Sequence, residues 1–139
     1  MGADGVQVSG ADEAFGSALE SLKPERIVGV GGLASRDDAM RAGEEGADYV
    51  MFGEPVPGRE SEAPSDTLER VGWWAEIFNV PCVGFASALS EVEPLASAGA
   101  DFVALGDAVW NDLRDPATAV AEAEAAVERA HVTRAGVGV

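Results

Sequence analysis

The sequence predicts an α/β protein with a parallel sheet, and three observations carry that prediction. Strand-like and helix-like segments alternate almost without gaps along the 139 residues, making five βα units. The triplet Gly-Ala-Asp occurs three times, as Gly2-Ala3-Asp4, Gly46-Ala47-Asp48 and Gly99-Ala100-Asp101, each followed by two residues that open a strand. The copies stand 44 residues (2 to 46) and 53 residues (46 to 99) apart. That is about two strand-plus-helix units, since a whole eight-unit barrel takes about 250 residues. The strand segments are near-continuous apolar runs, the pattern of a parallel sheet covered on both faces. Strict alternation implies right-handed crossovers and fits two arrangements, an open doubly wound sheet or five-eighths of a barrel.

In order, residues 4–9 read as a short strand and 12–22 as a helix. Segment 26–30 is rich in β-branched residues and closes on Gly31-Gly32, a strand and its exit turn. Ser35 is an N-cap for a helix over 36–43, with Asp37 and Asp38 suited to its positive end. The next strand is 48–52, and 53–65 is a polar loop rich in Pro and Gly. Ser65 or Asp66 is expected to cap a helix running to Asn79. A strand over 81–85, a helix over 90–98 capped by Ser90, and a strand over 101–105 follow. Asp115 and Pro116 open the last helix as N-cap and first helical residue, and it is expected to end at Ala130. This makes one domain over 1–130 and a disordered tail over 131–139.

Composition excludes several functions. The formal net charge is −16, from 25 acidic and 9 basic residues. Such a chain lacks the positive field that nucleic acids and anionic membranes require. No apolar stretch approaches a membrane span, and no signal-peptide pattern opens the chain, so a reducing cytoplasm is expected. The single cysteine, Cys82, lies in an apolar run and reads as a buried, inert thiol. The single histidine, His131, is in the tail and supports no triad or metal cluster.

Several residues invite a chemical reading. The three triplet Asp residues fall at strand starts, the stability end of β/α proteins, and are read as structural. Gly29-Val30-Gly31-Gly32 follows a strand but lacks the GxGxxG and Lys-Ser/Thr features of nucleotide loops. Glu54 stands past a strand end, where an acid or base would sit, although a plain loop carboxylate is commoner there. Trp73, Trp74, Ile77 and Phe78 recur at helical spacing and read as core, with a second apolar face left for docking on another subunit.

Gly2 to Asp12 is similar to GADGVHLGQ-x-D, the fourth strand of the thiamine phosphate synthase and thiazole tautomerase family. Gly46 to Pro57 resembles that family's sixth strand, GADYIGFGPVFPT. Residues 26–46 resemble the fifth strand and its helix, residues 99–110 the eighth strand, and Asp115-Pro116-Ala117 the closing helix. The resemblance covers about residues 2–127 in collinear order. It implies an incomplete TIM-type (β/α) barrel holding strands four to eight, with the first three strands not in this stretch.

The resemblance also implies an activity in thiamine biosynthesis. The family's transferase joins hydroxymethylpyrimidine pyrophosphate to thiazole phosphate and expels pyrophosphate with Mg²⁺. Asp12 matches a magnesium-binding carboxylate, and it is equally well placed as the N-cap of its helix. Arg59, the amides of Ala86 and Ser87, and those of Gly106 and Asp107 match the phosphate side of the site. Departures are plain. Gly31-Gly32-Leu33 replaces Ser-Thr-His, Gly58 to Glu62 replaces Thr-x-Thr-Lys, Ala86-Ser87 replaces Gly-Gly, and Asp107 replaces Ser. Glutamates flank Arg59, and Asp107 brings negative charge to a phosphate position. Two functions are therefore carried forward: a thiamine phosphate synthase, and a catalytically inactive family member that binds a ligand or a partner chain. Because five parallel strands starting at Met1 leave sheet edges open, self-association or a partner chain covering that edge is expected.

Overall fold

The computed structural model describes residues 2–10 and 12–137. Five strands, β1 (Gly5–Ser9), β2 (Ile27–Gly31), β3 (Tyr49–Phe52), β4 (Cys82–Ala86) and β5 (Phe102–Leu105), form one parallel sheet. Between and after them lie α1 (Glu13–Leu22), α2 (Arg36–Glu45), α3 (Pro64–Ile77), α4 (Val92–Ala98), α5 (Asp107–Trp110) and α6 (Pro116–Val137). The spatial order is β1-β2-β3-β4-β5, the same as the chain order. This decides between the two arrangements. A doubly wound sheet reverses its strand order at a switch point, whereas right-handed crossovers in unbroken order put every helix on one side, as in a barrel wall.

The core lies on that helical side. Val28, Val30, Val50, Phe52, Cys82 and Ala86 pack from the strands against Phe15, Ala39, Ala42, Val71, Trp74, Val92 and Leu95. Trp74 is fully buried, stacks on Phe78 at 4.2 Å and donates its indole N–H to the Val80 carbonyl at 2.7 Å. Trp73 holds the Arg36 guanidinium over its ring, while Ile77 is exposed and takes no part in the core. The expectation of a sheet covered on both faces fails among the described residues. Ile27 and Phe102 are 51% and 67% exposed, and Gln7 and Tyr49 share the uncovered face. In a closed barrel this second face looks inward and is packed by layers of side chains from all eight strands, so five strands leave Ile27 and Phe102 uncovered.

The triplets close helices and anchor strands. Gly46 and Gly99 end α2 and α4 at φ 113° and 117°, a left-handed conformation that suits glycine. Asp48 accepts the Val28 N–H on Oδ2 at 2.8 Å and the Lys23 ammonium on Oδ1 at 2.5 Å. Asp101 accepts the Cys82 N–H at 3.0 Å. Each carboxylate thus ties the start of its own strand to the start of the preceding strand in sequence, the structural role expected of it. Asp4 instead links forward to the start of β2, its backbone carbonyl accepting from Ile27 at 3.0 Å.

Some boundaries differ from expectation. Helix α3 begins at Pro64 with Ala63 as N-cap, not at Ser65 or Asp66, because proline has no N–H to satisfy and its φ already suits the first turn. Ser90 does not cap α4. It lies inside a single 3-10 turn, Leu89–Glu91, that leads into the helix. The four-residue α5 was not expected. Asp115 caps α6 as expected, accepting the Thr118 N–H at 2.7 Å. Helix α6 continues past Ala130 to Val137, since no Gly or Pro interrupts residues 117–135. Residues 138–139 of the expected tail lie outside the described residues.

Candidate functional site

The C-terminal ends of the strands carry the site, and glycines of β2 make room for it. Gly29 and Gly31 alternate on the inner face of β2. A side chain on Gly29 would run into the Tyr49 ring, which leans across from β3. The Tyr49 hydroxyl donates to Gln7 Oε1 of β1 at 2.7 Å, and Gln7 Nε2 points at the Met51 sulfur at 3.4 Å. One turn higher, Glu54 leans over Gly31 in the same way, with Oε1 2.7 Å from where a Gly31 Cβ would stand.

The β2–α2 turn is held by three side chains, two from the loop after β3 and one from α3. Glu54 Oε1 accepts the Gly32 N–H, and Arg59 Nη2 donates to the Gly32 carbonyl at 2.6 Å. Arg70 donates to the Leu33 carbonyl at 3.1 Å and pairs with Glu62 at 3.2 Å. Gly32 sits at φ 60°, so its freedom in the left-handed region is used here. Together these groups line a cavity of about 320 Å³ that also includes Met51, Phe52 and Val56. Its charges are Arg59 and Arg70 against Glu54, Glu60 and Glu62.

Glu54 is the unusual group. Its Oε2 is buried and accepts no hydrogen bond from the described residues. Burial pushes its carboxyl above the ordinary range, helped by the charge of Glu62 and opposed by the Gly32 N–H and Arg59. Burial, with the Glu54 charge, also pushes the Tyr49 phenol up. Glu54 is therefore a built-in part of the inner face rather than a plain loop carboxylate.

The other expected site residues are placed as follows. Arg59, an exposed residue, lines the cavity and donates to the Gly32 carbonyl. Asp12 is the N-cap of α1, accepting the Ala14 N–H on Oδ1 at 3.0 Å. Among the described residues no group of three or more His, Cys, Asp or Glu is placed to hold a metal. A carboxylate has two oxygens and Mg²⁺ is commonly held by one or two carboxylates together with substrate phosphates, so the cap leaves Asp12 fit for part of such a site. Ala86 is buried at the end of β4. Ser87 follows it, but the Glu91 carboxylate already accepts its N–H at 3.2 Å and its hydroxyl at 2.8 Å. Gly106 caps α5 and Asp107 is its first residue. Apart from Ala86, the last residue of β4, these lie past strand C-termini, yet they do not share one cavity. Ser87 borders a separate cavity of about 70 Å³ with Gly53, Pro55, Glu62 and Glu91, and neither cavity is lined by Asp12, Gly106 or Asp107. Cys82 is inert as expected, its thiol pushed up to about 11 chiefly by burial.

Sequence reasoning missed Gln7, Tyr49, Arg70 and Glu91. The signal for the first two was the alternation Gly29-Val30-Gly31, which empties one face of a strand and invites neighbours to cross it. Nothing in the sequence marked Glu91 as the companion of Ser87 beyond a separation of four residues.

Comparison with known proteins agrees with this architecture. The chain is 44% identical over 124 residues to the thiamine-phosphate synthase of Rhodospirillum centenum, covering 87% of this chain and 59% of that protein. It is 42% identical over 129 residues to the thiamine-phosphate synthase of Erythrobacter litoralis, covering 89% and 61%. The chain thus spans about three-fifths of the length of these relatives. Their shared name gives the catalytically inactive alternative no support. Among solved structures, that of a 3-hexulose-6-phosphate synthase superposes with a TM-score of 0.66 at 24% identity, over 91% of this chain and 63% of that one, a likeness of fold. The sequence pattern of the TMP-TENI family, thiamine monophosphate synthase, matches residues 1–109. The chain belongs to the thiamine monophosphate synthase family.

Proposed function

We propose that the chain works in thiamine biosynthesis as the larger part of a thiamine phosphate synthase barrel, joining hydroxymethylpyrimidine pyrophosphate to thiazole phosphate in the cytoplasm. The observation that carries the reading is the polar cavity at the C-terminal ends of β2 and β3, the end where β/α barrels do chemistry, in a chain of this family. The reaction forms a carbon–nitrogen bond to the thiazole ring and breaks the carbon–oxygen bond to the departing pyrophosphate. Arg59 and the turn after β2 would hold one end of the bound pair, and the turns after β4 and β5, with Ser87, Gly106 and Asp107, would face the thiazole phosphate. Mg²⁺ belongs to this reading, with Asp12 as one of its carboxylate ligands, and would supply neutralisation of the pyrophosphate charge. That no described helix is long and apolar enough to cross a membrane is consistent with the compartment. Self-association or a partner chain over the open edges is also part of the reading, supported by the exposure of Val6, Ile27 and Phe102. Light scattering tests it, and a stable monomer that binds no hydrophobic dye would count against it.

The activity is tested by thiamine phosphate formation from the two substrates with Mg²⁺. The chain alone is expected to give none, because the pyrimidine contacts and a further metal carboxylate belong to the family's first three strands. Extended in front by the uncovered part of the Rhodospirillum centenum relative, it is expected to turn over and to lose turnover on Asp12→Ala. A folded but inactive extended chain would overturn the reading.

A further inference from the structure

Gly31 and Gly32 leave the β2–α2 turn without side chains to fix it, and two glycines in a row have more backbone freedom than any other pair. Side chains from elsewhere supply what the turn lacks. Glu54 Oε1 accepts the Gly32 N–H, and Arg59 Nη2 donates to the carbonyl of the same residue at 2.6 Å. Gly32 is thus gripped on both sides at φ 60°, and Arg70 holds the following carbonyl, of Leu33, at 3.1 Å. A side chain on either glycine would displace this arrangement. A Cβ on Gly31 would stand 2.7 Å from Glu54 Oε1, and one on Gly32 would stand 2.7 Å from Ser9 Oγ.

The grip works in both directions. Arg59 is an exposed residue in a loop rich in glycine and proline, and the Gly32 carbonyl is its hydrogen-bond partner among the described residues. Nη2 is taken up by Gly32, whereas Nε and Nη1 make no hydrogen bond to the described residues and remain for a bound group. Glu54 is held there at a cost. Its Oε2 is buried without a hydrogen bond from the described residues, and the Glu62 charge opposes its own. A carboxylate kept at that cost secures the place of Gly32 rather than stability. We propose that Glu54 is a positioning residue: by holding the Gly32 N–H it sets the carbonyl on which Arg59 is anchored, and so aims the rest of the guanidinium into the cavity. The proposal rests on the synthase reading, in which Arg59 meets an anionic end of the bound pair.

Calorimetric titration of the chain with inorganic pyrophosphate tests it by sign. Electrostatics alone says that removing a carboxylate beside an anion site tightens binding. Positioning says the reverse. Glu54→Ala is expected to weaken pyrophosphate binding by about tenfold, the scale of one charge-assisted hydrogen bond lost. Glu54→Gln is expected to bind at least as tightly as wild type, because its amide oxygen keeps the Gly32 N–H and the negative charge is gone. With Arg59→Ala in place, Glu54→Ala should weaken binding no further. Tighter or equal binding by Glu54→Ala, a Gln variant as weak as the Ala variant, or further weakening in the Arg59→Ala background would overturn the proposal. NMR of the chain without ligand reads the same arrangement. The Arg59 Nε–H signal should move in Glu54→Ala and stay close to wild type in Glu54→Gln, although Glu54 makes no hydrogen bond to Arg59. An Arg59 signal that ignores Glu54→Ala would overturn the proposal. If the wild type binds no pyrophosphate while the NMR signals respond as stated, the synthase reading of Arg59 falls and the positioning by Glu54 stands.

Discussion

The two ends of the sheet use the same device for opposite purposes. At the N-terminal end, Asp48 and Asp101 each accept a backbone N–H from a neighbouring strand, and Asp48 has a partner on both oxygens. At the C-terminal end, Glu54 also accepts a backbone N–H, from Gly32, but its second oxygen is buried without a hydrogen bond from the described residues. At Asp48 the arrangement lowers the carboxyl pKa. For Asp48, desolvation raises it, but the hydrogen bonds from Lys23 and Val28 with the Lys23 charge outweigh that and hold it below its ordinary value. The second arrangement raises it. A satisfied carboxylate stabilises a fold; an unsatisfied one is kept for something else.

The largest expected effect breaks the lower end. Asp48→Ala leaves the N–H of fully buried Val28 without its acceptor and releases Lys23, a loss of about 2–3 kcal/mol in a denaturation experiment. Asp48→Asn keeps an acceptor and should lose clearly less. Equal losses would mean that the Lys23 charge, not the Val28 hydrogen bond, dominates.

At the upper end the next effect concerns phosphate. Asp107 puts a negative charge at the start of α5, where the synthase reading expects a phosphate. Two unit charges about 4 Å apart repel by roughly 1 kcal/mol in water and about 4 at an effective dielectric of 20. Asp107→Ser is therefore expected to tighten thiazole phosphate binding by about tenfold or more in a calorimetric titration. An unchanged affinity would remove that turn from the site. A smaller gain, roughly threefold, is expected of Glu91→Ala, which frees the Ser87 N–H and hydroxyl from an exposed carboxylate contact worth less than about 1 kcal/mol. Weaker binding in this variant would mean that Glu91 orders the turn for the ligand.

The smallest effect compares the two ends directly through pH. Asp48 binds its proton less tightly folded than unfolded, so its stabilisation is present above the unfolded pKa and lost as pH falls through the lower folded value. Glu54 is the reverse. The folded state holds the proton more tightly, so stability falls as pH rises from its ordinary value of about 4.5 towards the raised one. Melting temperature against pH should show that fall in the wild type, and Glu54→Gln should flatten it without touching the acid limb set by Asp48. A Gln variant with an unchanged profile would separate the fall from Glu54.

Much of this was legible in the chain. The strand and helix alternation, the helix stops at Gly46 and Gly99, the caps at Asp12, Ser35 and Asp115, and the structural duty of the triplet Asp residues follow from local chemistry. The caps at Ser65, Asp66 and Ser90 failed because a proline at the first helical position and a 3-10 turn satisfied those ends differently. The residues expected on the phosphate side fall at or past strand ends but not in one cavity, and the engagement of Ser87 by Glu91 was invisible.

By itself, then, the sequence determined which segments are strands and helices, how each helix stops, and to which family the chain belongs, because periodicity, capping and collinear motifs are properties of neighbouring residues. Only the tertiary structure decided the strand order, the single helical face, and the crossing of Tyr49 and Glu54 over the two glycines of β2. Those depend on which backbones lie side by side at a spacing of about 4.8 Å, and a glycine 23 residues from the carboxylate it admits (Gly31 and Glu54) gives no local sign of the partnership. Whether a carboxylate is solvated or buried beside an unmatched oxygen is settled by that packing alone.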